Sequence, residues 1–398
     1  GFYSSIFSNV PPLRFPEFSG EWEKYKLSEM CSFFSGGTPS SSKKEYYDGN
    51  IPFIRSGELH DDQTELFITE DGLKNSAAKM VEVGDLLLAL YGATSGDIAI
   101  SKINGAINQA ILCIRTEQSK KFIESIWYKH AGKLLQTYLQ GGQGNLSADI
   151  VKNISFYFAT IEEQKKLAKF ISLLDERIST QNKIIEKYES LIQVMCDTLI
   201  ESELHKVELA FSDFGESYSG LSGKSAEDFG EGCPYITYMN VNQNQIIDTT
   251  NVGLVKINEA EQQSVVRYGD ILFTLSSETP EEVGMGAVYL GKTYPLFLNS
   301  FCFGVHIMDE NKIFPPFLAY YVSTKSFRKA VFPLAQGSTR FNLQKNDFMK
   351  KIFSFPTVER QKKIYLVLKA YSDKLSVEKS MAKLFCEHKN HLLRQLFI

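Results

Sequence analysis

The sequence predicts an α+β protein in which two duplicated globular domains are separated by two long antiparallel coiled-coil helices. Three observations predict it. The segment Thr-Ile-Glu-Glu-Gln-Lys-Lys at 160–166 returns as Thr-Val-Glu-Arg-Gln-Lys-Lys at 357–363. Each copy follows short alternating apolar runs punctuated by Gly, Pro and Asn, a pattern typical of strands and turns. Each copy also opens a long stretch without Pro or Gly, which is typical of a helix.

The duplication extends well beyond this signature. Its anchors are Leu27 with Leu209 and Pro52 with Pro234, each 182 positions apart; VGDLLLAL (83–90) with YGDILFTL (268–275), 185 apart; Asn108 with Asn299, 191 apart; and Asn145 with Asn342, 197 apart. The anchors occur in the same order, and the offset grows slowly along the chain. Loop insertions within a duplicated domain produce this pattern.

The repeats divide the chain into five segments. They are an N-terminal extension (1–20), a first globule (21–157), a first helix (158–205), a second globule (206–357) and a second helix (358–398). Each long helix spans about 60 Å, at about 1.5 Å per residue. In the first helix, apolar residues such as Ile171, Leu174 and Ile178 recur three and four apart and predict a coiled-coil seam, which Gln181 interrupts.

Composition limits the classes of protein that fit. A chain of 398 residues with 43% apolar content buries more than one core. The six cysteines are far apart and include no Cys-x-x-Cys pair, which predicts a reduced, cytoplasmic protein without a zinc site. No apolar run approaches the ~18 residues of a membrane span. A net charge of −4 means that any nucleic-acid footprint is local.

The order globule, helix, globule, helix, with Thr-x-Glu-x-Gln-Lys-Lys opening each helix, resembles the specificity subunit of type I restriction–modification systems. LRFPEFSGEWEKYKLSEM, GGTPSSSKKEYYDGNIPFIRSGEL and QGGQGNLSADIVKNISFYFATIEEQKK are similar to that family's first target-recognition domain and first conserved helix. The resemblance covers residues 11–398. Each motif is loose when taken singly, whereas their duplicated order is specific.

The resemblance implies a non-catalytic subunit that recognises double-stranded DNA. Each globule is expected to dock in the major groove over one half of an asymmetric bipartite target, and two modification (methyltransferase) subunits are expected to bind the helices. Restriction subunits would join them in the full complex. No cofactor or metal is expected in this chain; S-adenosylmethionine, ATP and Mg are implied for the partner subunits. Two unequal half-sites suit two similar but non-identical globules.

Polar loops at corresponding places in the two globules supply candidate DNA contacts, because hydroxyl, amide and basic side chains suit phosphates and base edges. The candidates in the first globule are Thr38, Ser40, Ser41, Lys43, Lys44, Tyr46, Arg55, Tyr91, Thr94, Ser95, Gln143 and Asn145. Those in the second are Ser219, Lys224, Tyr238, Asn240, Ser276, Ser277, Ser338, Thr339 and Arg340. Ordinary solvated loops or helix-capping turns explain the same residues, and both interpretations stay open. Gln164 and Gln361 are interpreted instead as packing contacts between helix and globule.

Two other functions compete with DNA recognition. A protein-interaction scaffold with duplicated domains predicts no salt-sensitive affinity for DNA. A fused methyltransferase or nuclease needs catalytic motifs, and the candidates for them fail. The FPPF segment begins with Phe314, which has no polar group for a target amine, and GMGAVYLG has the wrong glycine spacing for a dinucleotide loop. His388 and His391 lie three apart on a basic helical stretch and are interpreted as part of a solvated surface, so no catalytic or metal site is predicted.

Overall fold

The computed structural model describes residues 9–139, 145–258 and 260–398. The chain divides into two compact units: unit 1 comprises the chain up to Asn182 together with Ser380–Ile398, and unit 2 comprises Lys183–Lys379. These boundaries differ from the predicted domain boundaries, because each unit contains one globule and part of each long helix. We call the globules of units 1 and 2 globule 1 and globule 2.

Unit 1 alternates short strands with helices. Its strands are β1 (Glu23–Lys26), β2 (Ser32–Ser35), β3 (Tyr47–Ile54), β4 (Phe67–Ile68), β5 (Lys79–Val81), β6 (Leu86–Ala89), β7 (Ile98–Ile100), β8 (Gly105–Ile107), β9 (Ile111–Arg115) and β10 (Ser155–Phe158). Its helices are α1 (Leu27–Met30), α2 (Glu70–Lys74), α3 (Lys120–Leu139), α4 (Ala148–Asn153) and the first part of α5 (Ile161–Glu201).

Unit 2 repeats the plan. Its strands are β11 (Lys206–Ala210), β12 (Gly215–Ser219), β13 (Phe229–Ile236), β14 (Gly253–Val255), β15 (Ile271–Thr274), β16 (Ser276–Ser277), β17 (Gly286–Val288), β18 (Phe297–Leu298), β19 (Cys302–Ile307), β20 (Ala335–Gln336), β21 (Phe341–Leu343) and β22 (Ile352–Pro356). Its helices are α6 (Tyr238–Gln243), α7 (Pro315–Tyr321), α8 (Lys325–Val331), α9 (Lys345–Lys350) and the first part of α10 (Val358–Leu396).

The two globules share most of their sheet topology; among the described residues, the pairing of β5 with β8 occurs in globule 1 alone and the small sheet β16-β21-β20 in globule 2 alone. The main antiparallel sheet has the order β2-β9-β6-β7 in globule 1 and β12-β19-β15-β17 in globule 2. A parallel pair, β3 with β8 or β13 with β18, builds a second sheet. Strands β1 and β10, or β11 and β22, form a two-stranded ribbon. This shared topology confirms the predicted duplication and the α+β class.

One sequence anchor is wrong by two residues. The backbone amide of Lys26 donates to Glu29 Oε2 at 2.6 Å, and that of Ala210 donates to Asp213 Oδ2 at 2.7 Å. The fully buried Leu27 therefore corresponds to the fully buried Phe211, not to Leu209. Side chains alternate along a strand with a period of two, so a shift of two residues preserves the apolar pattern on which the match rested.

The helical stretch that follows the main sheet differs between the globules. Globule 1 has the single helix α3, whereas globule 2 has α7 and α8 with a break between them. In the break, the Thr324 hydroxyl accepts from the Phe327 amide at 3.3 Å and so starts α8. A Thr cap satisfies an amide that would otherwise lack a partner at the start of a helix. The same stretch of the chain is thus one helix in globule 1 and two helices in globule 2.

Aromatic side chains dominate both cores. In unit 2 the Phe211 ring lies 5.0–6.3 Å, centroid to centroid, from the rings of Phe214, Phe273, Phe327, Phe348, Phe353 and Phe355. In unit 1 the core is built from Trp22, Phe122, Trp127, Phe156 and Phe158, with Leu167 and Ile171 of α5, Leu393 and Leu396 of α10, and Phe397 directly after α10. Both long helices therefore contribute apolar side chains to each core, which fixes the helix segments against the globule.

The two long helices run antiparallel within each unit. In unit 1 the Lys389 ammonium pairs with Asp175, and the Arg177 guanidinium lies 5.1 Å from the centroid of the Phe385 ring. In unit 2 Lys379 pairs with Glu189 and Arg360 pairs with Glu203. Residue numbers thus rise along α5 as they fall along α10. Exposed ion pairs stabilise such a contact weakly, so the apolar seam provides most of the stability.

The repeated Gln-Lys-Lys signature has a structural role at the start of α5. The Gln164 side chain is 1% exposed. Its amide nitrogen donates to Gln118 Oε1 at 2.8 Å and to the Ala159 carbonyl at 2.9 Å. Its oxygen accepts from the Ser119 amide at 3.2 Å. One side chain therefore joins the first turn of α5 to the strand before it and to the segment that leads into α3.

The start of α10 repeats this arrangement. The Gln361 side chain is fully buried, and its nitrogen donates to the carbonyls of Pro356 at 2.8 Å and Lys312 at 3.4 Å. Its oxygen accepts from the Phe314 amide at 2.8 Å. The interpretation of both glutamines as contacts between helix and globule agrees with these hydrogen bonds.

Replacing Gln164 with Ala is expected to destabilise unit 1 by about 2–4 kcal/mol. The change removes three hydrogen bonds of about 1 kcal/mol each and leaves buried partners unsatisfied. Tryptophan fluorescence during urea unfolding measures this effect, because the only two tryptophans, Trp22 and Trp127, both lie in unit 1. The control Lys165→Ala alters an exposed neighbour and should stay within about 0.5 kcal/mol of the parent protein. Equal stabilities of the two variants would contradict this role.

Candidate nucleic-acid interface

One edge of the main sheet in globule 1 collects most of the predicted contacts. Strands β2 and β6 end there and β9 begins there, because Ser35 pairs with Leu112 and Ala89 with Ile111. The amide of Leu146 donates to the Leu90 carbonyl at 2.8 Å and brings Asn145 to the same edge. We call the loops at this edge loop edge 1; it comprises residues 36–46, 90–97, 108–110 and 145–146.

Gln109 lies at the centre of loop edge 1. The Thr38 hydroxyl donates to Gln109 Oε1 at 2.5 Å. Burial raises the pKa of Tyr91, and a hydrogen bond with Gln109 opposes that rise. The structure thus brings the predicted residues Thr38 and Tyr91 together around a side chain that sequence reasoning missed. Its place directly after the anchor Asn108 is the signal that identifies it.

Globule 2 presents the corresponding edge. Strand β12 ends at Ser219, which pairs with Phe303 near the start of β19, and the Leu343 amide donates to the Leu275 carbonyl at 2.8 Å. We call the loops here loop edge 2; it comprises residues 219–222, 275–283, 299–301 and 335–342. The two edges match in backbone position, and their side chains differ.

Arg340 is the basic group of loop edge 2 with the most defined setting. Its Nε donates to Ser276 Oγ at 2.8 Å, and its guanidinium lies 4.7 Å from the centroid of the Phe301 ring. Phe301 is 46% exposed, which is high for a large aromatic side chain. Sequence reasoning missed Phe301, although it stands two residues after the anchor Asn299.

The candidate DNA contacts fall into exposed, half-buried and buried residues. Exposed residues are Thr38, Ser40, Ser41, Lys43, Lys44, Asn145, Ser219, Ser338, Thr339 and Arg340. Half-buried residues are Arg55, Tyr91, Thr94, Ser95, Lys224 and Tyr238. Buried residues are Tyr46, Asn240, Ser276 and Ser277. Gln143 lies outside the described residues.

Asn240 is a correction to the predicted set. Its side chain is 1% exposed, and the amide nitrogen donates to the carbonyls of Asp248 at 2.8 Å and Asn251 at 2.7 Å. The oxygen accepts from the Asp248 amide at 3.0 Å and from Asn244 Nδ2 at 3.1 Å. An asparagine side chain has two donor hydrogens and two acceptor positions, so all of its capacity is used inside globule 2.

Three other predicted contacts are buried and also have internal partners. Ser277 donates to Glu282 Oε2 at 2.7 Å, and Ser276 accepts from Arg340. The Tyr46 hydroxyl accepts from Lys43 Nζ at 2.9 Å. These buried groups position exposed neighbours rather than offer a free surface to a ligand.

Two predicted basic contacts are neutralised by carboxylates. Hydrogen bonds from Arg55 to Glu58 and Glu65 raise the pKa of the guanidinium. Burial acts to raise the pKa of Glu58, but hydrogen bonds from Arg55 and from backbone amides lower it to about 2. The Lys224 ammonium pairs with Glu261 at 2.5 Å. Each cation is therefore committed to an internal ion pair, which the sequence pattern did not reveal.

Two further features of the described residues bear on the predicted classes. Within residues 9–139, 145–258 and 260–398, no group of three or more His, Cys, Asp or Glu side chains is placed to hold a metal ion. Across the same ranges, no helix is long and apolar enough to cross a membrane.

Residues 19–190 and 210–383 match the family described as "Type I restriction modification DNA specificity domain". The chain is 23% identical over 399 residues to the type I restriction enzyme MjaVIII specificity subunit of Methanocaldococcus jannaschii, covering 94% of this chain and 90% of that protein. It is 25% identical over 185 residues to the type I restriction enzyme EcoR124I/EcoR124II specificity subunit of Escherichia coli, covering 44% of this chain and 45% of that protein.

Two solved structures have a similar fold. The S subunit of a type I restriction–modification system from M. genitalium gives a TM-score of 0.54 at 16% identity, covering 98% of this chain and 99% of that chain. A chain from a structure of a type I R-M system gives a TM-score of 0.60 at 15% identity, covering 94% and 97%. These similarities support the duplicated architecture.

Replacing Asn240 with Ala is expected to lower the stability of unit 2 by about 2–4 kcal/mol, because four buried hydrogen bonds lose their partner. Thermal unfolding followed by circular dichroism measures the loss. The control Asn346→Ala, at an exposed position of α9, should change stability by less than about 0.5 kcal/mol. A normally stable Asn240→Ala protein with altered sequence preference would instead identify Asn240 as a base contact.

Proposed function

Because this chain belongs to the type I restriction modification DNA specificity family, we propose that its two globules recognise the two halves of a bipartite, asymmetric DNA target. The chain acts as the recognition subunit of a methyltransferase and endonuclease complex and performs no catalysis itself. Its partners are double-stranded DNA, two modification subunits and, in the full complex, restriction subunits.

The observation that carries the proposal is a pair of equal scaffolds with unequal loop edges. Each of the two segments that match the family covers most of one globule, and the main sheets of the two globules have the same strand order. At corresponding positions, loop edge 1 has Tyr91 and Gln109 where loop edge 2 has Ser276 and Ser300. Base pairs differ in their pattern of donors and acceptors in the major groove, so different side chains on one scaffold suit different bases.

The exposed positive charges at the loop edges are few and local, which fits recognition of DNA by a small number of side chains. Lys43 and Lys44 are exposed on loop edge 1, and Arg340 is exposed on loop edge 2. A protein with a net charge of −4 needs such local cations to approach the negatively charged DNA. We expect the affinity of the complex for DNA to fall as salt rises, since counterions released from phosphates drive binding.

The long helices supply a surface for the modification subunits. Exposed apolar side chains on α5 and α10 support this assignment: Leu173, Leu191, Val194, Leu366, Val367, Val377 and Leu384. Leu191 and Val194 are three residues apart on α5 and so share one helix face, and contiguous apolar surface of this kind commonly marks a site of protein interaction. S-adenosylmethionine, ATP and Mg are assigned to the partner subunits and none of them to this chain.

The purified chain alone is expected neither to methylate nor to cut DNA. Adding its modification partner should produce S-adenosylmethionine-dependent methylation of adenine at one bipartite sequence. Incorporation of a labelled methyl group measures the reaction, and sequencing of the methylated DNA identifies the site. The modification partner without this chain is the control. Robust methylation by the isolated chain, or unchanged methylation when it is omitted, would refute the proposal.

Exchanging residues 21–157 for the same region of a related specificity subunit should change one half of the methylated sequence and leave the other unchanged. Each globule carries its own loop edge, so its half-site should follow it. The reciprocal exchange of residues 206–357 is the matched control and should change the other half. If either exchange alters both halves, the assignment of one half-site to each globule fails.

A further inference from the structure

We propose that Arg340 recognises a guanine in the half-site of globule 2, held for this task by Ser276 and Phe301. The inference rests on the proposed function and extends it to a named residue and base. Arg340 touches the DNA base in this proposal, whereas Ser276 and Phe301 are positioning residues.

The first argument is geometric. The hydrogen bond from Nε to Ser276 Oγ and the contact with the Phe301 ring fix two sides of the guanidinium. Among the described residues, neither terminal nitrogen of Arg340 has a hydrogen-bond partner. Two parallel N–H groups remain available, which is the arrangement that binds O6 and N7 of guanine in the major groove. The side chain is held before any ligand arrives, so little side-chain entropy is lost on binding.

The backbone beneath Arg340 is also defined. A four-residue turn, 337–340, joins β20 to β21, and β21 pairs with β16, which contains Ser276. Gly337 has a φ of +146°, and a Cβ at this position would lie 2.0 Å from the Arg340 carbonyl oxygen. The turn therefore requires glycine here. It holds Arg340 between the strand that carries Ser276 and the turn that carries Phe301.

The surrounding charges favour a base edge over a phosphate. Glu278, Glu281 and Glu282 are exposed in the loop that follows Ser277, and Glu282 accepts the hydrogen bond from Ser277. Phosphate would be repelled by these carboxylates, whereas the edge of guanine is uncharged. None of the described ion pairs engages Arg340, so its charge is not consumed by the neighbouring acids.

The other two arginines of globule 2 lack this arrangement. Arg328 donates to the carbonyls of Gly284, Val283 and Glu281, which uses its guanidinium to hold a loop. Arg267 is exposed, but it precedes β15, at the end of that strand opposite to loop edge 2. Arg267 therefore offers a control of equal charge at a different edge of the same globule.

Sequencing of methylated DNA tests the proposal in the complex of the full chain with its modification partner. The parent motif should contain guanine in the half-site that follows residues 206–357 in the domain exchange. Arg340→Ala should relax that one position, lowering its preference for guanine by about fivefold to about 150-fold. Arg340→Lys keeps the charge without the fork and should relax the same position. Arg267→Ala should leave the motif unchanged.

A base analogue separates base recognition from phosphate binding. Replacing the guanine with 7-deazaguanine removes the N7 acceptor and should weaken binding by the parent complex. The same replacement should have little effect on the Arg340→Ala complex, which has already lost the contact. Ser276→Ala and Phe301→Ala should give intermediate relaxation at the same position, because they loosen the guanidinium without removing it.

The outcomes are distinct. Parent protein that directs no methylation refutes the proposed function itself. Parent protein that directs methylation while Arg340→Ala leaves the motif intact overturns the inference. A uniform loss of methylation at all sequences, or an equal penalty from 7-deazaguanine in parent and variant, assigns Arg340 to a phosphate and also overturns it. Thermal unfolding of each variant shows whether it is folded, and Arg340→Lys provides the test if the alanine variant is not.

Discussion

The buried amide side chains of Gln164 and Gln361 are the constraint on which each unit depends. Each one satisfies the carbonyl that lies two residues before its helix and also binds the backbone or a side chain of a segment in the globule. Apolar packing is not directional, so a long helix held by an apolar stripe alone can rotate or slide against a globule at a small cost in free energy. Three directional hydrogen bonds in a buried site allow only one position of the helix. The direction in which each helix leaves its globule follows from this single side chain, which explains why the chain contains the signature twice.

The two globules share backbone geometry but differ in the side chains that surround it. At the edge of the main sheet opposite the loop edges, Asp85 accepts from the Glu82 amide and Asp270 from the Arg267 amide, so both carboxylates close the same turn. Their other partners differ: Arg115 binds Asp85, and His306 binds Asp270. Burial acts to raise the pKa of Asp85, but the hydrogen bond from Arg115 lowers it overall. Backbone geometry is thus retained while side-chain chemistry drifts, and the loop edges extend this freedom to the surface.

Pattern and order in the sequence were enough to predict the class, the duplication and the two helices, because helix and strand periods are local properties. The match of Leu27 failed because a period of two cannot distinguish neighbours two residues apart, and the break before α8 depends on one Thr cap. The residues of the candidate DNA-binding surface were harder to predict from the sequence. Asn240 and Lys224 have the chemistry of DNA ligands, but Asn240 is enclosed by the turn that follows α6, and Lys224 pairs with Glu261 from a later segment. Phe301 and Gln109 were missed because residue type alone does not mark them as DNA contacts. The exposure of Phe301 and the neighbours of both side chains in the folded structure identify them.

The composition of unit 1 has a consequence for the nascent chain. Phe397 packs against Trp22 and Phe122, with ring centroids 6.3 and 5.4 Å apart, and Leu393 and Leu396 belong to the same core. Unit 2 is one continuous segment, Lys183–Lys379. Domains usually fold in the order in which the ribosome releases them. Globule 1 therefore lacks part of its core until the residues that follow unit 2 have been translated, whereas all of unit 2 is present by then. During that interval the aromatic side chains of globule 1 stay incompletely covered, so globule 1 is exposed to chaperones for longer than globule 2 is.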